Sequence, residues 1–518
     1  VIGENFMTAQ PTDLEPPSSS VELDATLDAS ARSDTEYLAQ LGYKQELKRD
    51  IGLFSAFGVQ FSSIAVASSS YTTLIVGLAF FGPASFWSFV VGGTLQVFAV
   101  GLAVAELVSA YPLAGGVYQI NSRILGQTEN RFLRSPFLSW QTGWWIVIAH
   151  TVSVAAVSWS MVPFVANWFG VNSLTNTQTM YWALGIALVA SFVNIVGVKA
   201  AALMNNVGVV AELAGGVLII IALLVTHHHW QPISIVNNTG GTVSNGHWVK
   251  PFMFAMIFPA YLISSFDSTG NAAEETHDAA RKAPLGVFLA NSAAWLFGIV
   301  FIILVFMAIP NVDQIMASGT PIKDILDSSV GTQITTIFQA TAIVALLATC
   351  TMLQLTGARV LWSQARDGQM PFAGFLRKVS GNKIPINATI ATFVMSVIFL
   401  LVAEHSNTAL AVLAGLTSLA WALAYGVVVS TGLWALLTKR LPHRPFNSGR
   451  FSPVVFTGAV VWSIVICSVL VWQNPRQVGG GMLGAIVVGA IVYAFIPSGN
   501  RHRAPGIVNV GDRTNASS

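Results

Sequence analysis

The chain has 518 residues, 53% of them hydrophobic and only 9% charged, where a soluble domain carries about 25% charged residues. So few charges cannot cover a water-facing surface, which leaves lipid as the solvent. Two cysteines exclude a disulfide scaffold or a Cys-rich metal module, and a net charge of +2 lacks the basic face that nucleic-acid binding needs.

Residues 1–46 are rich in Ser, Thr, Asp, Glu and Pro, hold no apolar run, and read as a disordered cytosolic tail. No basic stretch there leads into an apolar one, so a cleaved signal peptide is not expected, and Val1 and Met7 both stand as possible starts. A helix needs roughly 20 mostly apolar residues to cross ~30 Å of hydrocarbon. Twelve such stretches predict an all-α membrane protein. Five lie at about 51–81, 84–111, 138–166, 180–197 and 204–226. The next five lie at about 251–273, 285–309, 333–364, 386–403 and 408–437, and the last two at 454–473 and 482–497. With both termini in the cytosol, all but Lys250, Lys323 and Arg476 of the 25 Lys and Arg residues fall on or near the cytosolic face. Residues 498–518 form a second polar tail. The twelve-helix domain thus covers 47–497, and a multi-pass protein of the cell membrane is expected.

Two spans carry polar interruptions at corresponding places. Ser62 to Ser70 puts five serines into span one, around Ile64-Ala65-Val66-Ala67-Ser68. Span six carries Ser264-Ser265-Phe266-Asp267-Ser268-Thr269-Gly270-Asn271. The offset of about 200 residues fits two inverted five-helix repeats, about 51–226 and 251–438, each with a broken first helix. Unwound backbone exposes N–H and C=O groups at mid-bilayer, and half-helix N-termini add positive dipole ends. Such groups hold a substrate's carboxylate and amine. Intact helices with Ser and Thr bonded to the preceding turn are the plainer alternative.

Several motifs converge in order. Ala105-Glu106-Leu107-Val108-Ser109-Ala110-Tyr111-Pro112-Leu113-Ala114-Gly115-Gly116-Val117-Tyr118 resembles the signature closing span two in the amino acid–polyamine–organocation permeases. Asn194-Ile195-Val196-Gly197-Val198-Lys199 is similar to their span-four ending. Phe266-Asp267, Ala273-Glu274-Glu275-Thr276 and Arg281-Lys282-Ala283-Pro284 resemble their broken span six and the loop after it, and Ala365 to Pro371 the segment after span eight. The opening Leu41 to Arg49 is similar to the amino acid/choline transporter branch, which includes GABA permeases. The resemblance, over about 41–497, implies the LeuT-type 5+5 fold with helices 1 and 6 broken and helices 11 and 12 outside the repeats. It departs from the family at span one, where no Gly-Ser-Gly break is present, and at span five, where Glu212 stands in place of a lysine.

The candidate substrate site is therefore Ile64, Ala65, Val66, Ala67, Ser68, Ser265, Phe266, Asp267, Ser268 and Thr269. A mid-membrane charge is costly and functional by default, so Asp267 is read as an amine partner or proton carrier, a helix-capping role being the alternative. Glu212 and His150 are further coupling candidates, because burial and neighbours move such groups toward physiological pH. Glu106 reads as structural, and Trp145, Trp159, Trp421 and Tyr425 as aromatic candidates. The resemblance implies a cytosolic gate in which Lys48 and Arg49 meet Asp367, with Glu274 and Glu275 as other partners. His227-His228-His229 point in different directions, so no metal site is expected, and no cofactor. No H-E-x-x-H or G-x-S-x-G pattern appears, which argues against an enzyme. The expected activity is secondary transport of a small amino acid or GABA-like compound, with protons as the favoured coupling ion. A choline- or polyamine-type cation carrier is the rival reading, and a non-transporting sensor a weaker one.

Overall fold

A computed structural model describes residues 34–36, 38–39, 47, 49, 51–126, 136–171, 174–318, 320–381, 384–406 and 408–497. The tail over 498–518, most of that over 1–46, and Lys48 lie outside these. The described residues are helical, with one isolated bridge between Ile51 and Thr276.

Ten helical stretches among them are long and apolar enough to cross a membrane. The first, Leu53–Ala110, has 58 residues, far more than one crossing at 1.5 Å per residue. It is divided into α1 (Leu53–Ile64), α2 (Val66–Phe81), α3 (Ser85–Leu95) and α4 (Leu102–Ala110). Gly82, at φ 58°, turns the chain between α2 and α3; a Cβ there would sit 2.5 Å from the Thr239 backbone. A π-helical segment, Gln96–Gly101, joins α3 to α4 and brings Gly101 against the Phe266 ring. There follow α5 (Gly116–Gly126), α6 (Pro136–Trp168), α7 (Asn176–Val196) and α8 (Val198–Thr226).

The predicted sixth span is the most interrupted. It consists of α9 (Val249–Ala255), α10 (Ile257–Leu262) and, past an irregular stretch, α11 (Ser268–Asn271). Next come α12 (Ala279–Met307), α13 (Pro321–Val330), α14 (Thr332–Arg366), α15 (Ile386–Glu404), α16 (Ala409–Leu437), α17 (Ser452–Gln473) and α18 (Gly480–Ala494).

Burial is arranged for lipid. Helices α7, α8, α15, α17 and α18 expose apolar side chains such as Phe192, Leu203, Val394, Ile464 and Leu483. Polar side chains, including Gln60, Glu106, His150 and Asp267, lie inside. The axis of the molecule is α6, whose most apolar 18 residues are wholly buried. It packs against α14 and α16, while α8 packs against α14 and α12 against α1. These contacts hold the two broken segments side by side.

Candidate functional site

The first break is one residue wide. Ala65 adopts the left-handed conformation (φ 44°, ψ 62°) between α1 and α2, which costs a non-glycine residue roughly 1–2 kcal/mol. Its own N–H still bonds Phe61 O, and Ser69 N–H bonds Ala65 O, so the freed donors are those of the first turn of α2. An internal carboxylate takes them. Ala67 and Ser68 N–H donate to Glu212 Oε1 at 2.5 and 3.3 Å, and the Ser68 hydroxyl bonds Oε2. Glu212 comes from α8 and is 3% exposed.

The second break runs from Ile263 to Asp267, with Ser265 at φ 59°. Gln60 of α1 donates to Ser265 O at 2.9 Å and so ties the two breaks together. Asp267, fully buried, accepts from Tyr425 Oη at 2.6 Å and Asn271 Nδ2 at 2.8 Å. The aromatic wall beside it is continuous: Phe266 lies 5.3 Å from Tyr425, which stacks on Trp421, which meets His150 edge-on at 4.6 Å. His150 Nδ1 faces Ile146 O, while His150 Nε2 and Ser268 Oγ are buried without a hydrogen-bond partner. Gly116, at φ 42°, is required by this packing, because a Cβ there would lie 2.3 Å from Asn271 Oδ1. Among the described residues no Lys, Arg or His nitrogen forms an ion pair with Glu212 or Asp267.

Between the breaks lies a cavity of about 20 Å³ whose lining includes Ser63, Ser69, Ser153, Tyr261, Ser265 and Thr349. That is room for about one water, so the centre is contracted. At the end away from the basic loops, a vestibule of about 610 Å³ is lined by Trp159, Asn167, Pro321, Lys323 and Gln339 among others. Tyr71 lies on its wall, accepting from Gln339 Nε2 at 2.9 Å and packing on Phe164 and Phe338.

The basic end is shut by buried pairs. Arg359 Nε meets Glu275 Oε1 at 2.7 Å, with both side chains at most 3% exposed, and Arg366 meets Glu274 at 3.0 Å. Asp367 accepts from Tyr118 Oη and Gln119 Nε2 at 3.1 and 2.8 Å. Arg49 donates to Thr35; burial lowers its pKa against the opposing pull of Asp34 and Glu274. Glu106 bonds Arg444, Ser448 N–H and Ser452, pinning the loop before α17. Sequence reasoning overlooked Arg359, Arg366, Tyr118 and Gln119. Two arginines in the last turns of a 35-residue apolar helix were the available signal, since a buried cation needs an acid.

Of the predicted site residues, Ile64 and Ser265 line the small cavity between the breaks, Ala67 and Ser68 bond Glu212, and Phe266 and Asp267 lie against Tyr425. It sets Glu212 and Asp267 at separate breaks and His150 behind Trp421. Among the described residues no group of His, Cys, Asp and Glu is placed to hold a metal.

Comparison with known proteins agrees with this architecture. Residues 51–493 match the family described as amino acid permease. The chain is 26% identical over 458 residues to the amino-acid permease BAT1 of Arabidopsis thaliana, covering 83% of this chain and 86% of that protein. It is 25% identical to an uncharacterized amino-acid permease of Schizosaccharomyces pombe, covering 90% and 88%. It is 27% identical to the GABA-specific permease of Saccharomyces cerevisiae, covering 87% and 80%. These relatives are permeases rather than enzymes, and this multi-pass membrane protein belongs to the amino acid permease family.

Proposed function

We propose that the chain is a secondary transporter moving a small amino acid or GABA-like amino compound by alternating access through twelve spans. The observation that carries this is the stack of three features along one axis. An outer vestibule of about 610 Å³ leads to two facing helix breaks with a 20 Å³ cavity between them, and buried ion pairs lie beyond. A path open at one end and sealed at the other is what a carrier cycling between two faces needs. Counting the hairpin α1–α4 as two spans and α9–α11 as one gives twelve.

Reciprocal packing supports the five-plus-five repeat. Exchanging the halves converts the α6–α16 contact into the α14–α8 contact, and both are among the most extensive in the molecule. The termini and the Arg359–Glu275 end face the cytosol by charge bias. Asp267, Glu212 and His150 are the groups able to carry a coupled proton, and exchange without a coupling ion uses the same path.

Counterflow tests the reading. Purified protein in liposomes, preloaded with GABA, neutral, basic or acidic amino acids, choline or a polyamine, is expected to exchange at least one amino compound without an ion gradient. Failure with the whole panel would sink the proposal. Exchange of choline or polyamine alone would favour the cation-carrier reading, which has one specific observation behind it: two buried carboxylates at the breaks, neither ion-paired among the described residues.

A further inference from the structure

The amides at the start of α2 are the donors expected to receive a substrate carboxylate. They are already engaged, by Glu212 Oε1 on Ala67 and Ser68 N–H and by Oε2 on the Ser68 hydroxyl. Glu212 is delivered by a 29-residue helix, α8. Two glycines one turn on keep it close: a Cβ at Gly216 would lie 2.4 Å from the Phe297 ring and 3.2 Å from Ala67 Cβ, and one at Gly215 would lie 2.0 Å from Thr341 Oγ1. At the other break Asp267 is a second acid, held by the neutral donors Tyr425 and Asn271. Buried near it and without a hydrogen-bond partner are His150 Nε2 and Ser268 Oγ. Among the described residues the two breaks therefore hold two buried carboxylates, neither ion-paired with a Lys, Arg or His.

Resting on the transport reading above, we propose that Glu212 is the specificity-determining residue of this site, a built-in carboxylate that fills the anion cradle at the start of α2. The site then reads its substrate through an ammonium group, which Asp267 receives. An α-amino acid carries its carboxylate and ammonium on one carbon, so its carboxylate must lie at the centre, where Glu212 already occupies the amides. An ω-amino acid separates the two groups by several methylenes and can direct its carboxylate toward the vestibule. An amine has no carboxylate to place. The substrate class is accordingly ω-amino acids and amines, in preference to α-amino acids.

Counterflow with three solutes of similar size, 2-aminobutyrate, GABA and propylamine, tests this in the full-length protein. The wild type is expected to exchange GABA and propylamine at least tenfold faster than 2-aminobutyrate. Glu212→Ala uncovers the amides, and a carboxylate bonded to buried N–H groups gains about 1.5–3 kcal/mol, so the ratio of 2-aminobutyrate to propylamine exchange should rise about tenfold or more. Glu212→Gln keeps an oxygen on the amides and should leave that ratio low, which gives a second reading should the alanine variant not fold. A wild type that exchanges 2-aminobutyrate as readily as GABA overturns the proposal while leaving transport intact, as does an alanine ratio within twofold of wild type. A glutamine ratio that rises as far as the alanine ratio also overturns the occupancy argument. No exchange of any of the three solutes overturns the transport reading itself, and this inference with it.

Discussion

The two helix breaks solve the same problem with different parts. At the span-six break the acid is local: Asp267 directly precedes α11, and its partners Asn271 and Tyr425 come from the same break and from α16. At the span-one break the local sequence is Ile64-Ala65-Val66-Ala67, with no acid and no glycine, and the carboxylate arrives from Glu212, 145 residues further on. One break holds its acid on two neutral side chains. The other uses an acid to close its own amides. The difference teaches that a polar interruption in a membrane helix is not by itself a vacant anion site, because another helix can supply the anion.

The largest effect should come from the break whose acid is held by the neutral donors Tyr425 and Asn271. Asp267→Asn keeps the shape and one of the two acceptor oxygens but removes the charge. A hydrogen bond to a charged group is worth about 1.5–3 kcal/mol, so transport of an ammonium-bearing substrate should fall about tenfold or more. Uptake normalised to the amount of folded protein in the membrane checks this, and unchanged uptake would mean that Asp267 only holds Tyr425 and Asn271 in place. Tyr425→Phe should do less. It removes the 2.6 Å donor but leaves the charge and Asn271 in place, so a loss of several-fold is expected. Should Tyr425→Phe match Asp267→Asn, the phenol rather than the carboxylate would be the substrate contact, and the contrast between the breaks would weaken.

This contrast also explains what could be read before any coordinates. The membrane class was legible because charge is excluded from lipid-facing surface, and the two helix breaks were legible as polar interruptions because non-helical backbone at membrane depth must be buried in protein or line a cavity. What could not be read was pairing across the fold. The 84 residues separating Glu275 from Arg359 and the 145 separating Ala67 from Glu212 carry no spacing signal, since helix periodicity tells which face a residue occupies and not which helix it will meet. Arg49 and Asp367 were expected to face each other. Asp367 accepts from Tyr118 and Gln119, and Glu274 and Glu275, the other acids expected at this gate, meet Arg366 and Arg359 from the far end of α14.

The smallest and most diagnostic effect concerns protons. If Glu212 carries the coupled proton as well as filling the cradle, its protonation alters what Ala67 and Ser68 N–H bind, and so links the span-one break to pH. Glu212→Gln holds that position permanently neutral while keeping an acceptor on the amides. Uptake by the variant should then vary less than twofold over a pH range in which the wild type varies several-fold. The informative comparison is with Asp267→Asn, measured at substrate concentrations high enough to restore a signal. A flat profile in the glutamine variant, with pH dependence retained in the asparagine variant, would assign substrate recognition to one break and proton handling to the other. A normal profile in the glutamine variant would leave Glu212 as a fixed structural anion and move the coupled proton to Asp267, whose two neutral donors, Tyr425 and Asn271, would then have to stabilise both of its charge states in turn.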